Sequence, residues 1–476
     1  MSNRIHSRPI LAGALAVLAT VSLSLPALAQ EVQVPLSAQT GVSVTIYNQD
    51  LALVRDQRSV SLESGINNLA FVDVSAFMRP ETALIVVDGI DTNVLEQNFN
   101  FDLLTPQTLL DKSVGQTVQL VRINPETGED IVEEGVLLST AGGITVQIGD
   151  RIETAYPGRI VYSEVPGDLR ARPTLVIDLD AASSGDAEAS LSYLTGGLSW
   201  KADYVAELSP DESTIDLNGW VTLTNSSGTV YRDATLQLVA GDVNQVQQVM
   251  YRMEDMMANG AVAAPESSMV EEGLLDYHLY TLERPTTIAN NQTKQVALLS
   301  STSIPVTKEY RFENIAWAFN YPMGEAERTD ATVIVEFKNN EASNLGLPIP
   351  AGVMRVYKAD SAERVQFVGE DWVDHTPKNE TVRLTLGRAF DVTARPVQTE
   401  FNKISNEVYE SAYEITFKNA KTEPVTVEFV QGMEGDWDVI SESQEHTRLD
   451  AYRASWSVTV PAEGEATLTY KVRVDY

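Results

Sequence analysis

The chain has 476 residues, no cysteine, and a formal net charge of −33 that results from 34 basic and 67 acidic residues. Without thiols it cannot form disulfides, cysteine-type zinc sites, iron–sulfur clusters or a cysteine nucleophile. Its excess of acid is repelled by phosphate backbones and anionic lipid surfaces, which argues against nucleic acid as a partner. The acidic residues favour a highly solvated surface or, as the alternative, divalent-cation binding by clustered carboxylates.

Residues 1–29 have the pattern of a cleaved secretory signal peptide. Arg4 and Arg8 provide the positive n-region, residues 10–25 are apolar, and Ala27 to Ala29 match a small-residue cleavage site. The apolar run is shorter than the roughly 20 residues that a membrane-spanning helix requires. The sequence therefore predicts a periplasmic or secreted protein whose mature chain begins near Gln30 and lacks a transmembrane segment.

Apolar and polar residues alternate with period two along most of the chain, and long helical periodicity is almost absent. The predicted fold class is all-β, with multi-module antiparallel β-sandwiches and a small SH3-like β-barrel insert. The predicted segments are a signal peptide (1–29), an N-terminal β-sandwich segment (30–102), the SH3-like barrel insert (103–165), a β-sandwich segment that opens the C-terminal domain (166–243), a Met-rich acidic linker (244–276) and a C-terminal β-sandwich region (277–476).

Two segments differ from their surroundings. Residues 103–165 contain short strands joined by tight turns such as "NPETGED" and "AGG", which predicts the separate small barrel. Residues 244–276 hold five of the ten methionines without strand alternation, which predicts a short helix followed by a mobile linker.

The stretch "YLTGGLSWKADYVAEL", residues 193–208, sets a tryptophan on a strand that follows two glycines. Strand alternation places Trp200, Ala202 and Tyr204 on one face, which predicts a core position with the indole N–H bonded to one backbone acceptor. The alternative is an exposed aromatic platform for sugar rings.

A strand, an asparagine, a polar turn and a second strand recur three times, at residues 219–241, 331–352 and 413–432. Asn225, Asn339 and Asn419 each stand where the first strand ends, so that their side chains can bond the backbone of an Asx-turn. We interpret this repeat as a packing device of sandwich domains without a catalytic role.

Four ordered blocks stand out between residues 190 and 476: Trp200 and Tyr204, Asn225 to Gly228, Pro285 to Ile288, and Pro350 to Gly352 with Arg355 and Tyr357. This part of the chain resembles a bacterial exported domain-of-unknown-function family, the C-terminal domain of mucoidy-inhibitor-A-like proteins. The resemblance implies a β fold and an envelope compartment rather than an activity. Relatives often carry a long charged coiled coil in the middle, where this chain has the barrel-like insert, which puts any coiled-coil partner in doubt.

Metal binding has three weak candidates. Asp178, Asp180, Asp186 and Glu188 bring carboxylates together near a glycine, as do Glu434, Asp436 and Asp438, although neither group has EF-hand spacing. Each also fits an ordinary polar turn. Thioether sulfurs at M-x-x-M-x-x-M-M spacing would suit copper(I). The alternative is that these methionines form an apolar helix face that packs on a sheet. The methionines concerned are Met250, Met253, Met256 and Met257.

Catalytic motifs are not recognisable. No zinc-protease helix, G-x-S-x-G elbow or phosphate-binding glycine loop occurs. Asp276 with His278, and Asp374 with His375, could each be half of a catalytic or metal pair, but neighbouring Asp and His residues are usually surface hydrogen bonds.

The sequence favours an exported, non-enzymatic protein that binds or scaffolds an unknown envelope protein or polysaccharide and needs no cofactor. A hydrolase that acts on envelope glycan or peptide with scattered carboxylates, and a calcium- or copper-dependent binding protein, are the alternatives.

Overall fold

The computed structural model describes residues 31–166, 169–241, 243–244, 269–324 and 326–476. The all-β prediction is confirmed, since 64% of the structure is strand and 4% is helix. Within the described ranges, no helix has the length and apolar character needed to cross a membrane.

The strands before the insert and directly after it belong together. The first six are β1 (Glu31–Val34), β2 (Gln39–Tyr47), β3 (Leu51–Leu62), β4 (Gly65–Val72), β5 (Leu84–Val87) and β6 (Thr92–Asn100). The insert comprises helix α1 (Pro106–Lys112) and strands β7 (Thr117–Ile123), β8 (Asp130–Ser139), β9 (Thr145–Ile148), β10 (Arg151–Glu153) and β11 (Arg159–Val161). It is followed by β12 (Thr174–Ala181), β13 (Gly185–Thr195), β14 (Leu198–Leu208), β15 (Thr214–Asn225) and β16 (Tyr231–Ala240).

The remaining strands complete the two largest sheets. They are β17 (Met269–Leu274), β18 (Tyr277–Leu282), β19 (Thr286–Ile288), β20 (Gln292–Glu313), β21 (Thr329–Lys338), β22 (Gly352–Ala359), β23 (Val365–Val373), β24 (Thr381–Lys403), β25 (Val408–Asn419), β26 (Val425–Gly432), β27 (Asp436–Glu442), β28 (Thr447–Arg448), β29 (Arg453–Val460) and β30 (Gly464–Asp475). Short 3-10 helices occur at Leu36–Ala38, Pro80–Thr82 and Glu341–Ser343.

Three of the four sheets build the sandwiches. One has the order β1-β4-β12-β6, and a second has the order β17-β18-β16-β2-β3-β13-β5, with β19 paired to β16. The largest runs β23-β22-β14-β15-β20-β21-β24-β25-β30-β27, and β26, β28 and β29 attach beside it. The predicted segments 30–102 and 166–243 therefore share sheets, because β4 pairs with β12 and β2 with β16.

The insert interrupts a hairpin. Strands β6 and β12 pair antiparallel on either side of it, and Leu104 donates its backbone N–H to the carbonyl of Arg170 where the two connections meet. The five strands of the insert form their own sheet, in the order β10-β9-β8-β7-β11, around a small apolar core that includes Leu120, Leu137 and Val146.

The predicted barrel closure is wrong, since β10 and β11 are the two edges of this sheet and do not pair with each other. Both edge strands have only three residues, and Pro157 stands in the turn between them. Such short edges, separated by a residue that cannot donate a ladder hydrogen bond, leave the sheet open. The predicted linker also ends earlier than expected, because Met269–Leu274 form strand β17 and pair with β18.

Two further hydrophobic cores hold the sandwiches, and long strands pass through both. Strand β20 contributes Val296 and Ile304 to the larger core and Phe312 to the C-terminal one, and β24 likewise contributes Leu384 and then Val392. The C-terminal core contains stacked aromatic residues, among them Phe429, Trp456 and Tyr470. The larger core and the C-terminal core therefore share strands β20 and β24.

Candidate ligand-binding site

The Trp200 face is part of the core, as predicted. Trp200 is 5% exposed, and Ala202 and Tyr204 beside it are buried as well. The Tyr204 hydroxyl donates to the carbonyl of Pro350 at 2.7 Å. The expected acceptor for the indole N–H is missing among the described residues, since Trp200 Nε1 is buried without a hydrogen-bond partner. Gly197 turns the chain into this strand with φ +76°, and a Cβ there would lie 2.7 Å from the backbone of Ser227.

The structure separates the aspartates proposed for calcium. Asp178 and Asp180 lie on β12 of the four-stranded sheet, whereas Asp186 lies on β13 of the eight-stranded sheet. Asp178 accepts a hydrogen bond from Asn68 at 2.6 Å, and Asp186 accepts one from Ser61 at 2.5 Å. In the part of the chain that the structure describes, no group of three or more His, Asp or Glu side chains is arranged to hold a metal ion. Met250, Met253, Met256 and Met257 lie outside the described residues.

The histidines beside aspartates make other contacts. His278 Nδ1 lies 2.8 Å from Glu271 on the adjoining strand, and His375 Nδ1 accepts the backbone N–H of Ala351 at 3.2 Å. Asp374 instead accepts the indole N–H of Trp372. These are local contacts between neighbouring strands and loops.

An exposed aromatic pair lies in the loop that joins β20 to β21. Ile315, Ala316, Ala318 and Phe319 of this loop are buried in the C-terminal core. Two other residues face solvent, with Trp317 55% and Tyr321 45% exposed, and their ring centroids lie 5.6 Å apart. The loop thus anchors itself through small and apolar side chains and presents two large aromatic rings.

Side chains from the sheet hold the backbone of this loop. Gln398 donates to the carbonyl of Ala318 at 2.9 Å and accepts the N–H of Met323 at 2.6 Å. Gln431 accepts the N–H of Ala316 at 3.2 Å.

Two hydroxyl groups complete this support. Ser411 donates to the carbonyl of Phe319 at 3.1 Å, and the buried Tyr413 hydroxyl donates to that of Ala318. Bonds from the buried Ser411, Tyr413 and Gln431 and from the partly buried Gln398 restrain the loop from three strands, so Trp317 and Tyr321 stand on a fixed backbone.

Three more rings extend the pair. Phe401 and Tyr409 face each other across the hairpin of β24 and β25 with centroids 6.1 Å apart, and Tyr409 meets Tyr476 at 5.9 Å. Lys403 places its ammonium group 5.8 Å from the centre of the Tyr409 ring. We call Trp317, Tyr321, Phe401, Tyr409 and Tyr476 the aromatic strip.

The tyrosines at and beneath the strip have raised pKa values. Burial and then the carboxylate of Glu434 raise the pKa of Tyr476 to about 12, and Tyr409 and Tyr321 add smaller contributions of the same sign. Gln398 also donates to the carbonyl of Tyr321 at 3.4 Å and precedes Phe401 by three residues on β24, so the two groups of rings lie near the same end of this strand. Beneath them, burial raises the pKa of Tyr413, which stays a neutral hydrogen-bond donor at physiological pH.

The charged residues next to the strip are mostly paired. Glu410 accepts hydrogen bonds from Arg473 at 2.5 Å and 3.1 Å and lies 3.1 Å from Lys471. These cations lower the pKa of Glu410. Lys471 also reaches Glu400 at 2.8 Å. Two basic side chains are thereby engaged by acidic ones.

The sequence pattern draws attention to Trp200 and does not single out Trp317. Trp200 stands in clear strand alternation, but Trp317 stands in "ENIAWAFNYPMGEAER", a loop with Pro, Gly and Asn. Aromatic residues in a stretch of turn-forming composition are the signal that could have identified the strip. The contribution of Tyr409 and Tyr476 depends on sheet pairing, which the sequence does not display.

No protein-family model matches the chain, and no curated protein matches it. The resemblance to the C-terminal domain of mucoidy-inhibitor-A-like proteins therefore stays a prediction.

Proposed function

We propose that this chain is an exported, non-enzymatic binding protein of the cell envelope, and that the aromatic strip is its ligand-binding surface. The observation that carries the proposal is the rigid presentation of Trp317 and Tyr321. Water-exposed aromatic rings gain little for folding, and contiguous exposed apolar patches on soluble proteins usually mark binding sites. Here buried polar side chains fix the backbone beneath the rings, as a preorganised binding surface requires.

Glu410 beside the strip lacks the property that a glycosidase's general acid needs. A glycosidase needs one carboxyl group with a raised pKa as general acid and a second one near the scissile bond. Glu410 has a lowered pKa because Arg473 and Lys471 hold it, so it is ionised at neutral pH and suits a structural role. Export is supported by the signal-like pattern of residues 1–29, which lie outside the described residues.

The test is co-sedimentation of the mature protein with isolated envelope material. We expect the double variant Trp317→Ala, Tyr321→Ala to bind at least tenfold more weakly, with an unchanged thermal midpoint, because both side chains are exposed. The matched control is Trp372→Ala, a tryptophan that is 59% exposed on the edge strand β23 and should keep full binding. Equal binding by the double variant and the wild type would refute the proposal.

A further inference from the structure

We propose that the ligand of the aromatic strip is an uncharged polysaccharide chain. This inference rests on the proposed function and specifies its ligand. It follows from three properties of the strip: its open form, the chemistry of its rings and the charge around it.

The form of the strip suits a chain rather than a compact small molecule. Its rings come from the β20–β21 loop, the β24–β25 hairpin and the residue after β30. They form two groups: Trp317 and Tyr321 lie 5.6 Å apart, and Tyr409 lies 6.1 Å from Phe401 and 5.9 Å from Tyr476. Trp317, Tyr321 and Tyr476 are 55%, 45% and 42% exposed, so the surface is open to solvent. Phe401 and Tyr409 are partly buried. Two groups of rings on one open surface can contact separate units of the same polymer.

The rings fit the apolar face of a sugar. Aromatic faces carry partial negative charge, and the axial C–H groups of a pyranose carry partial positive charge, so the two surfaces stack favourably. Sugar hydroxyls then need polar partners at the edge of the rings. Glu434, which contacts the Tyr476 hydroxyl, and the exposed Asn320 are placed in the right region to provide them.

The charge around the strip disfavours acidic polymers. Recognition of carboxylate or phosphate relies on Arg or Lys side chains that are available to the ligand. Here Arg473 and Lys471 are bonded to Glu410. Lys403 over the Tyr409 ring keeps its charge, but one ammonium group lacks the fork of donors that holds a carboxylate or phosphate. The chain as a whole carries a net charge of −33, which adds a long-range repulsion of anions.

A protein partner fits the strip less well. Energetically dominant residues of protein interfaces lie in desolvated pockets surrounded by contacts that exclude water. Around Tyr476 the neighbours are instead acidic, namely Glu434 and Glu407, whose backbone carbonyl accepts the N–H of Tyr476. Sugar hydroxyls tolerate such wet, acidic surroundings, whereas burying unpaired carboxylates under a protein is costly.

The experiment extends the envelope-binding assay with treated envelopes and soluble competitors. We expect binding to survive proteinase digestion of the envelope material and 1 M NaCl, because stacking of uncharged groups is not screened. Soluble neutral glycans, namely cellohexaose, laminarihexaose and dextran, should include one that competes, whereas polygalacturonate should not. The competing glycan should also change the fluorescence emission of Trp317 in a variant whose other tryptophans are phenylalanine. The same glycan should displace the control variant Trp372→Ala from the envelope material as it displaces the wild type.

The possible failures are distinguishable. Loss of binding after proteinase treatment would identify a protein ligand, and loss in high salt or competition by polygalacturonate alone would identify an anionic one. Failure of every neutral glycan to compete would also overturn this inference. In each of these cases binding that still depends on Trp317 and Tyr321 preserves the proposed function. If binding does not depend on these two residues, both proposals fail.

Discussion

At the scale of single residues, Trp200 and Trp317 show how backbone context decides the role of an aromatic side chain. Trp200 is 5% exposed because strand alternation points it into the larger core, whereas Trp317 is 55% exposed because its neighbours on the loop occupy the core instead. The three repeated asparagines have similarly fixed roles. Asn225, Asn339 and Asn419 are all buried, and each donates to three backbone carbonyls.

The first prediction concerns Trp200. We expect Trp200→Ala to lower the free energy of unfolding by about 3–5 kcal/mol, the usual cost of emptying a buried aromatic site. Chemical denaturation followed by circular dichroism measures the change. In variants that retain a single tryptophan, iodide should quench Trp317 strongly and Trp200 weakly. Strong quenching of Trp200 together with unchanged stability would show that it is exposed in solution.

The second prediction concerns Asn339. Its Nδ2 donates to the carbonyls of Leu347, Thr376 and Pro377, and its Oδ1 accepts the N–H of Gly346 at 3.1 Å. Asn339→Asp replaces the donor by an oxygen that faces three carbonyl oxygens, so we expect a loss of about 3 kcal/mol or more, given about 1–3 kcal/mol for each buried group left unsatisfied. The exposed Asn402→Ala is the control. A urea midpoint for Asn339→Asp equal to that of the control would contradict this account.

At the scale of elements, each asparagine of the repeat joins two chain segments by hydrogen bonds. Asn225, Asn339 and Asn419 each bond the turn that follows their own strand and also a loop that lies 63, 38 and 42 residues further along the chain. The sequence predicts the first of these contacts, because an Asx-turn is local. The second contact depends on which strands pair, and it therefore could not be predicted.

The same distinction between local and long-range information explains the other outcomes. Strand alternation identifies the β-strands and the buried face of Trp200, since both depend on neighbouring residues. Closure of the insert depends on whether β10 reaches β11, and the aromatic strip depends on β25 lying next to β30. Both depend on long-range contacts. The sequence pattern wrongly predicted a closed insert, and it did not indicate the aromatic strip.

The third prediction tests the independence of the insert. Its core around Leu120 is separate from the larger core, and β6 already pairs with β12 beside the point where the insert leaves the sandwich. We therefore expect a chain in which two glycines replace residues 105–166 to fold and to bind envelope material like the full chain, because a shorter connection costs little loop entropy. Circular dichroism and co-sedimentation measure the two properties. Loss of folding would show that the insert supports the sandwich.

At the scale of the whole molecule, charge distinguishes this protein more than any single contact does. It contains no cysteine, so cores and ladders rather than disulfides hold it. Many of its basic residues form ion pairs on the surface, for example Arg159 with Asp130 and Arg364 with Asp360. Such exposed pairs contribute about 0–1 kcal/mol each. The acidic residues in excess repel one another, and this repulsion is weaker in the extended unfolded chain.

The last prediction follows from this imbalance. With 67 acidic and 34 basic residues, the folded state at neutral pH carries more repulsion than its surface ion pairs can offset. Salt screens both the repulsion between acidic residues and the attraction within ion pairs, with a Debye length of about 10 Å at 0.1 M. Because repulsion dominates, raising NaCl from 20 to 300 mM at pH 7.5 should raise the thermal midpoint. Near the isoelectric point of about 4.4 the net repulsion vanishes, so the same salt should leave the midpoint unchanged or lower it. Sodium chloride is preferable to sulfate, which stabilises most proteins through exclusion from their surface. A midpoint that falls with salt at pH 7.5 would mean that the ion pairs, rather than the excess acid, dominate the electrostatic free energy of folding.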